Sequence, residues 1–232
     1  VRYRLSGIEE TDGKILVPHR LIAKISRPET AELFLRPAPE KMIQALVQKG
    51  TLTEKQAQLA RRVPMADALT AEADSGGHTD RRPLTVILPV LRQLRDRIFT
   101  ETTPSERPLI GAAGGIGDPW SAAAALALGA DYLVSGSVNQ ATVEADTSQI
   151  VKEMLAGAGM VDTVMGPAPD MFEIGASVQV LSKGSLYAQR AGKLYELYKN
   201  YPSLTSIPAD ELAKIEKQIL QKPVSEVWAE VQ

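Results

Sequence analysis

Short apolar runs that end in turns alternate with helical patterns along most of the chain. The run RLIAKIS at residues 20–26 ends before a proline, which disfavours helical geometry in the preceding residue, and we predict a buried strand there. In DALTAEAD, residues 67–74, small or apolar side chains alternate with polar ones, which is the period of a strand. The stretches at 107–119 and 131–138 each begin as a short apolar strand and continue into a turn of small residues.

Helical patterns fill the gaps between these strands. Residues 83–99 have a β-branched start that would suit a strand, but their leucines recur at helical spacing and favour a helix. Residues 120–130 are rich in alanine and close at Gly129, and residues 146–159 form a further helical stretch. Alternation of strand, turn and helix is the βα pattern of a parallel sheet.

Two further helical regions depart from this alternation. At about residues 36–66, apolar side chains lie at helical spacing around a break where Gly50 resembles a helix end and Thr53 a helix cap. We predict an inserted helical hairpin. After a strand at residues 174–182, an amphipathic helical tail is predicted from about residue 187 to 228.

Composition and charge exclude several classes of function. The chain has 232 residues, of which 44% are hydrophobic and 23% charged, enough to bury a substantial core. A net charge of −2 provides no chain-wide basic field for nucleic acid or an anionic membrane. The absence of cysteine excludes disulfides and thiolate chemistry, and no apolar run approaches the length of about 18 residues typical of a membrane span. We expect a cytoplasmic protein, and the start at Val1 without a signal-peptide pattern suggests a fragment.

Three turns of small residues follow predicted strands: SGGH at 75–78, AGGIG at 113–117 and SGS at 135–137. The carboxyl ends of parallel strands are where α/β proteins bind ligands. Glycine lets a backbone approach a ligand closely, and free N–H groups there favour a phosphate. Each turn taken alone is better explained as a plain turn, and AGGIG lacks the dinucleotide-binding spacing. Two such turns after neighbouring strands indicate a shared phosphate cradle.

His78 is one of two histidines and directly follows Gly76 and Gly77. A loop histidine satisfied by backbone groups and a functional imidazole are both open, and the position after two glycines favours function. The other histidine, His19, is expected to be exposed.

The remaining charged groups favour structural roles. Glu72 and Asp74 share one strand face by the two-residue period, and an ion pair with Lys24 on a neighbouring strand is favoured over ligand binding. The charges of residues 92–97 are interpreted as the solvated face of a helix.

Five separated stretches carry a resemblance to a known family. They are EADSGGHTDRRP, GAAGGIG, GADYLVSGSVNQATVEA, DMFEIGASVQVL and KLYELYKNY. In this order they resemble the PfaD-like enoyl reductases of polyunsaturated fatty acid and trans-acyltransferase polyketide biosynthesis. That family is similar to nitronate monooxygenases and other flavin-dependent barrels, and the resemblance extends over essentially the whole chain.

The resemblance implies a (β/α)8 barrel that binds FMN at its carboxyl-terminal mouth. It further implies reduction by NADPH and hydride transfer to an enoyl thioester on an acyl carrier protein. A full barrel has eight strands in typically about 250 residues, whereas about four or five strands are predicted here. The implied arrangement is the C-terminal part of a barrel at residues 1–182, with a helical extension at 183–232. Such a half-barrel is expected to need its missing N-terminal half or to self-associate as a homo-oligomer.

Site residues follow from the same resemblance, which implies no metal. His78 is the implied catalytic residue, and Thr79, Asp80 or a residue of the missing half stay open as alternative proton donors. Gly76, Gly77 and His78 are implied to border the flavin ring. The backbone N–H groups implied to bind the FMN phosphate belong to Gly114, Gly115, Ile116, Gly136 and Ser137.

Two alternatives to the enoyl reductase stay open. On the same scaffold, a nitronate-oxidising flavoprotein would use His78 as a base toward an acidic C–H bond. A non-catalytic half-barrel assembly module would keep the phosphate cradle and lack the site for the flavin ring.

Overall fold

The chain folds into two compact units, Val1–Thr147 and Ser148–Gln232. The computed structural model describes residues 1–100 and 107–231. The first unit begins with a short helix, α1 (Arg2–Leu5), and an antiparallel hairpin of β1 (Glu9–Thr11) and β2 (Lys14–Leu16). Neither the helix nor the hairpin was predicted.

A four-stranded parallel sheet is the centre of the first unit. Its strands lie in the order β3 (Ile22–Ile25), β4 (Ala68–Glu72), β5 (Leu109–Ala113) and β6 (Leu133–Val134). Neighbours in the sheet are also consecutive in the chain, and a helix lies between each pair, which is how a (β/α)8 barrel is built. The predicted α/β class, with strands arranged as in part of such a barrel, is confirmed.

Of the further helices described in this unit, the first and the last were not predicted, and the others follow the predicted order. In chain order these helices are α2 (Pro28–Leu35), α3 (Glu40–Gln48), α4 (Glu54–Ala60), α5 (Leu84–Ile98), α6 (Pro119–Ala127) and the single turn α7 (Ser137–Gln140). Helices α3 and α4 form the predicted insertion. Thr53 caps α4 with its hydroxyl on the Gln56 N–H at 3.2 Å, and the Gln56 side chain accepts the Thr53 N–H in return.

The two faces of the parallel sheet have different surroundings. Leu69 and Ile110 are fully buried in the core, which also contains Leu88 and Leu91 of α5. The opposite face carries polar side chains, including the Lys24–Glu72 pair at 2.8 Å, which confirms the predicted ion pair. Next to this pair, Thr70 Oγ1 and the Tyr132 hydroxyl lie 2.7 Å apart, and burial raises the pKa of Tyr132.

Arg95 contradicts the interpretation of residues 92–97 as a solvated face. Its residue is only 9% exposed, and its guanidinium contacts Asp131 at 3.1 Å and the Pro108 carbonyl at 3.4 Å. Asp131 also accepts the Ile110 N–H at 2.7 Å. Since Asp131 lies 36 residues further along the chain, the helical pattern alone gave no sign of this partner.

The second unit contains an antiparallel pair and a series of helices. β7 (Thr163–Pro167) pairs with β8 (Ser177–Leu181), and β7 was not predicted. The helices are α8 (Gln149–Ala156), α9 (Tyr187–Asn200), α10 (Ala209–Ile215) and α11 (Val224–Val231), with a 3₁₀ turn at Leu204–Ser206 and a π-helical turn at Glu216–Leu220. The boundary after residue 182 stays a prediction. Among the described helices, none is long and apolar enough to cross a bilayer.

Candidate functional site

The three glycine turns lie at one edge of the parallel sheet, here called the carboxyl edge. They follow β4, β5 and β6, and parallel strands place their carboxyl ends together. The turns after β4 and β6 lie close together, because a Cβ built on Gly76 would lie 3.3 Å from Ser137 Oγ. The structure therefore brings together two residues predicted for the same site from positions some 60 residues apart.

Gly114, in the middle turn, which follows β5, lies close to the backbone at the start of the turn after β4. It has a φ of +94°, and a Cβ at this position would lie 2.6 Å from the Ala73 carbonyl oxygen and 2.7 Å from that of Asp74. Only glycine allows both this conformation and this approach. The close contact places all three turns side by side.

Gly114→Ala is expected to lower the free energy of unfolding by about 2 kcal/mol, because the methyl group must displace the Ala73–Asp74 backbone in addition to adopting positive φ. Gly50→Ala is the matched control, since Gly50 also has a positive φ, of +67°, but nothing lies within 4 Å of the position that its Cβ would take. Urea denaturation measures both changes. Equal losses of stability would contradict the steric role of Gly114.

A cavity of about 270 Å³ lies beside the middle turn. Its lining includes Gly114, Gly115 and Ile116 of the turn after β5, Asp74 and Arg82 of the loop after β4, and residues from the first turn of α5 and from α6. Arg82 was not predicted as a site residue. The signal that could have found it is its position in EADSGGHTDRRP, four residues after His78.

The start of α6 is already capped by the protein itself. The Asp118 carboxylate accepts the Ser121 N–H at 3.1 Å and the Trp120 N–H at 2.8 Å, and these bonds hold the pKa of Asp118 below its ordinary value. Ser121 Oγ in turn accepts the Gly117 N–H at 3.3 Å. An anion at the carboxyl edge would therefore meet the glycine turn itself rather than the α6 terminus.

His78 lies exposed on the loop between β4 and α5. The base of that loop is closed by a hydrogen bond of 2.9 Å from the Asp74 N–H to the Arg82 carbonyl. His19 differs from its prediction, since it is half-buried with its ring 4.4 Å from that of Tyr3. Within the described ranges, no group of three or more His, Asp or Glu side chains is arranged to hold a metal ion.

The known proteins that are similar in sequence to this chain are longer, and the chain matches only a part of each. No family model matches the chain. A polyunsaturated fatty acid synthase polypeptide of Thraustochytrium sp. is 48% identical over 233 residues, which cover 99% of this chain and 16% of that protein. Polyketide biosynthesis protein PksE of Bacillus subtilis is 45% identical over 232 residues, covering 100% of this chain and 30% of that one.

A solved structure is similar to this chain over nearly its whole length. It is the enoyl reductase domain of MlnA, from the macrolactin biosynthesis cluster of Bacillus amyloliquefaciens, with a TM-score of 0.89 and 41% identity. The match covers 99% of this chain and 52% of that one, so the chain spans about half of the solved structure and less of the two sequence relatives. The predicted resemblance is confirmed: the chain is related to a segment of the polyunsaturated fatty acid synthase and polyketide biosynthesis proteins and shares the fold of about half of the MlnA enoyl reductase domain.

Proposed function

We propose that this chain is part of an FMN-dependent enoyl reductase acting in polyketide or polyunsaturated fatty acid biosynthesis. The substrate would be an enoyl thioester on an acyl carrier protein, and NADPH or NADH would be the reductant. The observation that carries the proposal is the meeting of three glycine turns at the carboxyl edge, with His78 on the first of them. In this proposal residues 1–182 are the barrel part and residues 183–232 a helical extension.

The residues at this edge fit a phosphate group. A Cβ built on Gly77, Gly115 or Gly136 would meet nothing within 4 Å, so space is open beside these backbones. The Ser137 hydroxyl is a further donor, and the Arg82 guanidinium at the neighbouring cavity provides positive charge. Donors of this kind suit the FMN phosphate, which Gly114, Gly115, Ile116, Gly136 and Ser137 would hold.

His78 would stabilise the negative charge that develops in the reaction or donate the proton that it needs. When bound and reduced, FMN supplies a hydride for the β-carbon of the enoyl thioester. Negative charge then develops on the thioester oxygen, and the α-carbon needs a proton. The His78 imidazole can donate a hydrogen bond to that oxygen or a proton to that carbon. Gly76 and Gly77 have no side chains to block access to it.

A second candidate is a non-catalytic half-barrel module. On the sheet face opposite the helices, Ile22 is 64% exposed and Leu109 is 51% exposed. Apolar side chains on an open sheet face favour contact with further polypeptide. Such a module would keep the phosphate cradle and bind no flavin by itself.

The visible absorption spectrum of the purified chain tests these proposals first. We expect flavin bands, with FMN released and identified by mass at about one per chain, followed by NADPH-dependent saturation of a carrier-bound enoyl thioester. A folded, colourless chain that cannot be reconstituted with FMN would favour the half-barrel module. Bound flavin that oxidises nitronates without saturating thioesters would instead favour nitronate monooxygenase chemistry.

A further inference from the structure

The loop that carries His78 contains glycines that favour flexibility, yet hydrogen bonds hold it at its base and again after His78. It contains two adjacent glycines, and Gly77 has a φ of +85°. Glycine loses the most conformational freedom on folding, so the glycines alone would leave the imidazole poorly placed. One tie is the bond from the Asp74 N–H to the Arg82 carbonyl. It closes the base of the loop and leaves residues 75–81 to be fixed by other contacts.

Asp80 ties the part of the loop that follows His78 to a different element. Its Oδ2 accepts a hydrogen bond of 2.6 Å from Ser26 Oγ and another of 3.1 Å from Arg27 Nε. Ser26 directly follows β3, and Arg27 is the residue before α2. The carboxylate of Asp80 therefore joins the loop after β4 to the junction that follows the neighbouring strand.

The same contacts stabilise the negative charge of the Asp80 carboxylate. The hydrogen bond from Ser26, and then the Arg27 guanidinium, hold the pKa of Asp80 below its ordinary value. The carboxylate is thus ionised at neutral pH and acts as an acceptor. That state suits an anchor, and it leaves Asp80 without a proton to give to a substrate.

We propose that Asp80 is a positioning residue that fixes the loop so that the His78 imidazole keeps one orientation at the carboxyl edge. The proposal rests on the enoyl reductase function for the part played by His78. The link between Asp80 and the loop is independent of that function. Small errors in the placement of a reacting group are costly, since a shift of about 1 Å can reduce a rate about 100-fold.

Hydrogen–deuterium exchange of the purified chain tests the anchor without any substrate. We expect Asp80→Ala to raise amide exchange in residues 75–81 by at least about tenfold, with β4 and α5 unchanged. Ser26→Ala should loosen the same residues, because it removes the donor at 2.6 Å. Asp210→Ala is the matched control: Asp210 also forms an exposed pair, with Lys214 at 3.3 Å, far along the chain in the second unit. Unchanged exchange of residues 75–81 in Asp80→Ala would overturn the proposal.

Kinetics of the flavin-loaded protein test the consequence for His78. Asp80→Ala should lower kcat for an enoyl thioester roughly 10- to 100-fold with little change in KM, as expected when geometry and not binding is lost. Asp80→Asn should recover part of kcat, because its amide oxygen can still accept from Ser26. Normal turnover in an Asp80→Ala protein whose loop exchanges faster would overturn the positioning role. If the unchanged protein neither binds FMN nor reduces the thioester, the proposed function fails, and the exchange measurement decides on the anchor alone.

Discussion

His78→Ala is expected to retain FMN while losing turnover of enoyl thioesters by about 10²- to 10⁴-fold, the usual contribution of a positioned acid or hydrogen-bond donor. FMN should stay because the proposed phosphate donors are on the turns after β5 and β6 and are untouched by the change. The ratio of flavin to protein absorbance measures retention, and single-turnover oxidation of the reduced flavin by the enoyl thioester measures the chemical step.

His19→Ala is the control for this prediction. His19 is the other histidine of the chain, and its ring packs on Tyr3 in the segment before β3. Its loss should leave turnover within about twofold, since it removes no group from the carboxyl edge. A folded His78→Ala protein that has lost its flavin would make His78 a binding residue. Turnover equal to that of the unchanged protein would leave Thr79 as the next candidate for proton donor.

The parallel sheet could be predicted because its signals are local. Each strand is a short apolar run closed by a turn, and each helix has its own periodicity and end signals. Thr53 and Gly50 mark the ends of the inserted helices through residues only a few positions away. Because these contacts join residues only a few positions apart, a short stretch of sequence contains both partners.

The β1–β2 hairpin and strand β7 were not predicted from the hydrophobic pattern, and the reasons differ. The β1–β2 hairpin has charged strands, but its turn contains Asp12 and Gly13, both with positive φ, and this Asp-Gly pair is a signal that could have found it. Strand β7 ends in Gly166 and Pro167, residues that weaken a strand prediction. Its pairing with β8 is what stabilises it, and that pairing is absent from the local sequence.

The candidate site also has one part that could be predicted from the sequence and another that could not. Its three turns could be located because parallel strands bring their carboxyl ends together whatever the side chains are. The partners of individual side chains could not. Asp118 occupies the start of α6, Arg82 lines the neighbouring cavity, and Asp80 binds Ser26 across 54 residues of sequence. These contacts depend on how neighbouring loops pack against one another.

Asp67, at the amino end of β4, is the centre of the most enclosed ion pair described in the first unit. Its carboxylate accepts two bonds from Arg4, at 2.6 and 3.1 Å, and one of 2.8 Å from the Leu21 N–H. The Arg4 side chain is only 3% exposed, whereas Arg20, a second partner at 2.8 Å, is 80% exposed. Burial by itself raises the pKa of Asp67, but the Leu21 N–H and the two guanidinium groups outweigh it, and the pKa lies below its ordinary value.

Asp67→Asn is expected to lower the free energy of unfolding by about 3 kcal/mol at pH 7, because it leaves the buried Arg4 charge without its counter-ion. Arg20→Ala is the matched control and should cost less than about 1 kcal/mol, since that partner is exposed to water. The sign of the pH dependence follows from the lowered pKa. The stabilisation is complete above the ordinary value of about 3.9 and is lost as the pH falls below it toward the folded-state value. Urea denaturation from pH 7 to pH 3 should therefore show the difference between the unchanged protein and Asp67→Asn shrinking at acid pH. A difference that is constant with pH would mean that the carboxylate charge is not what stabilises this end of the sheet.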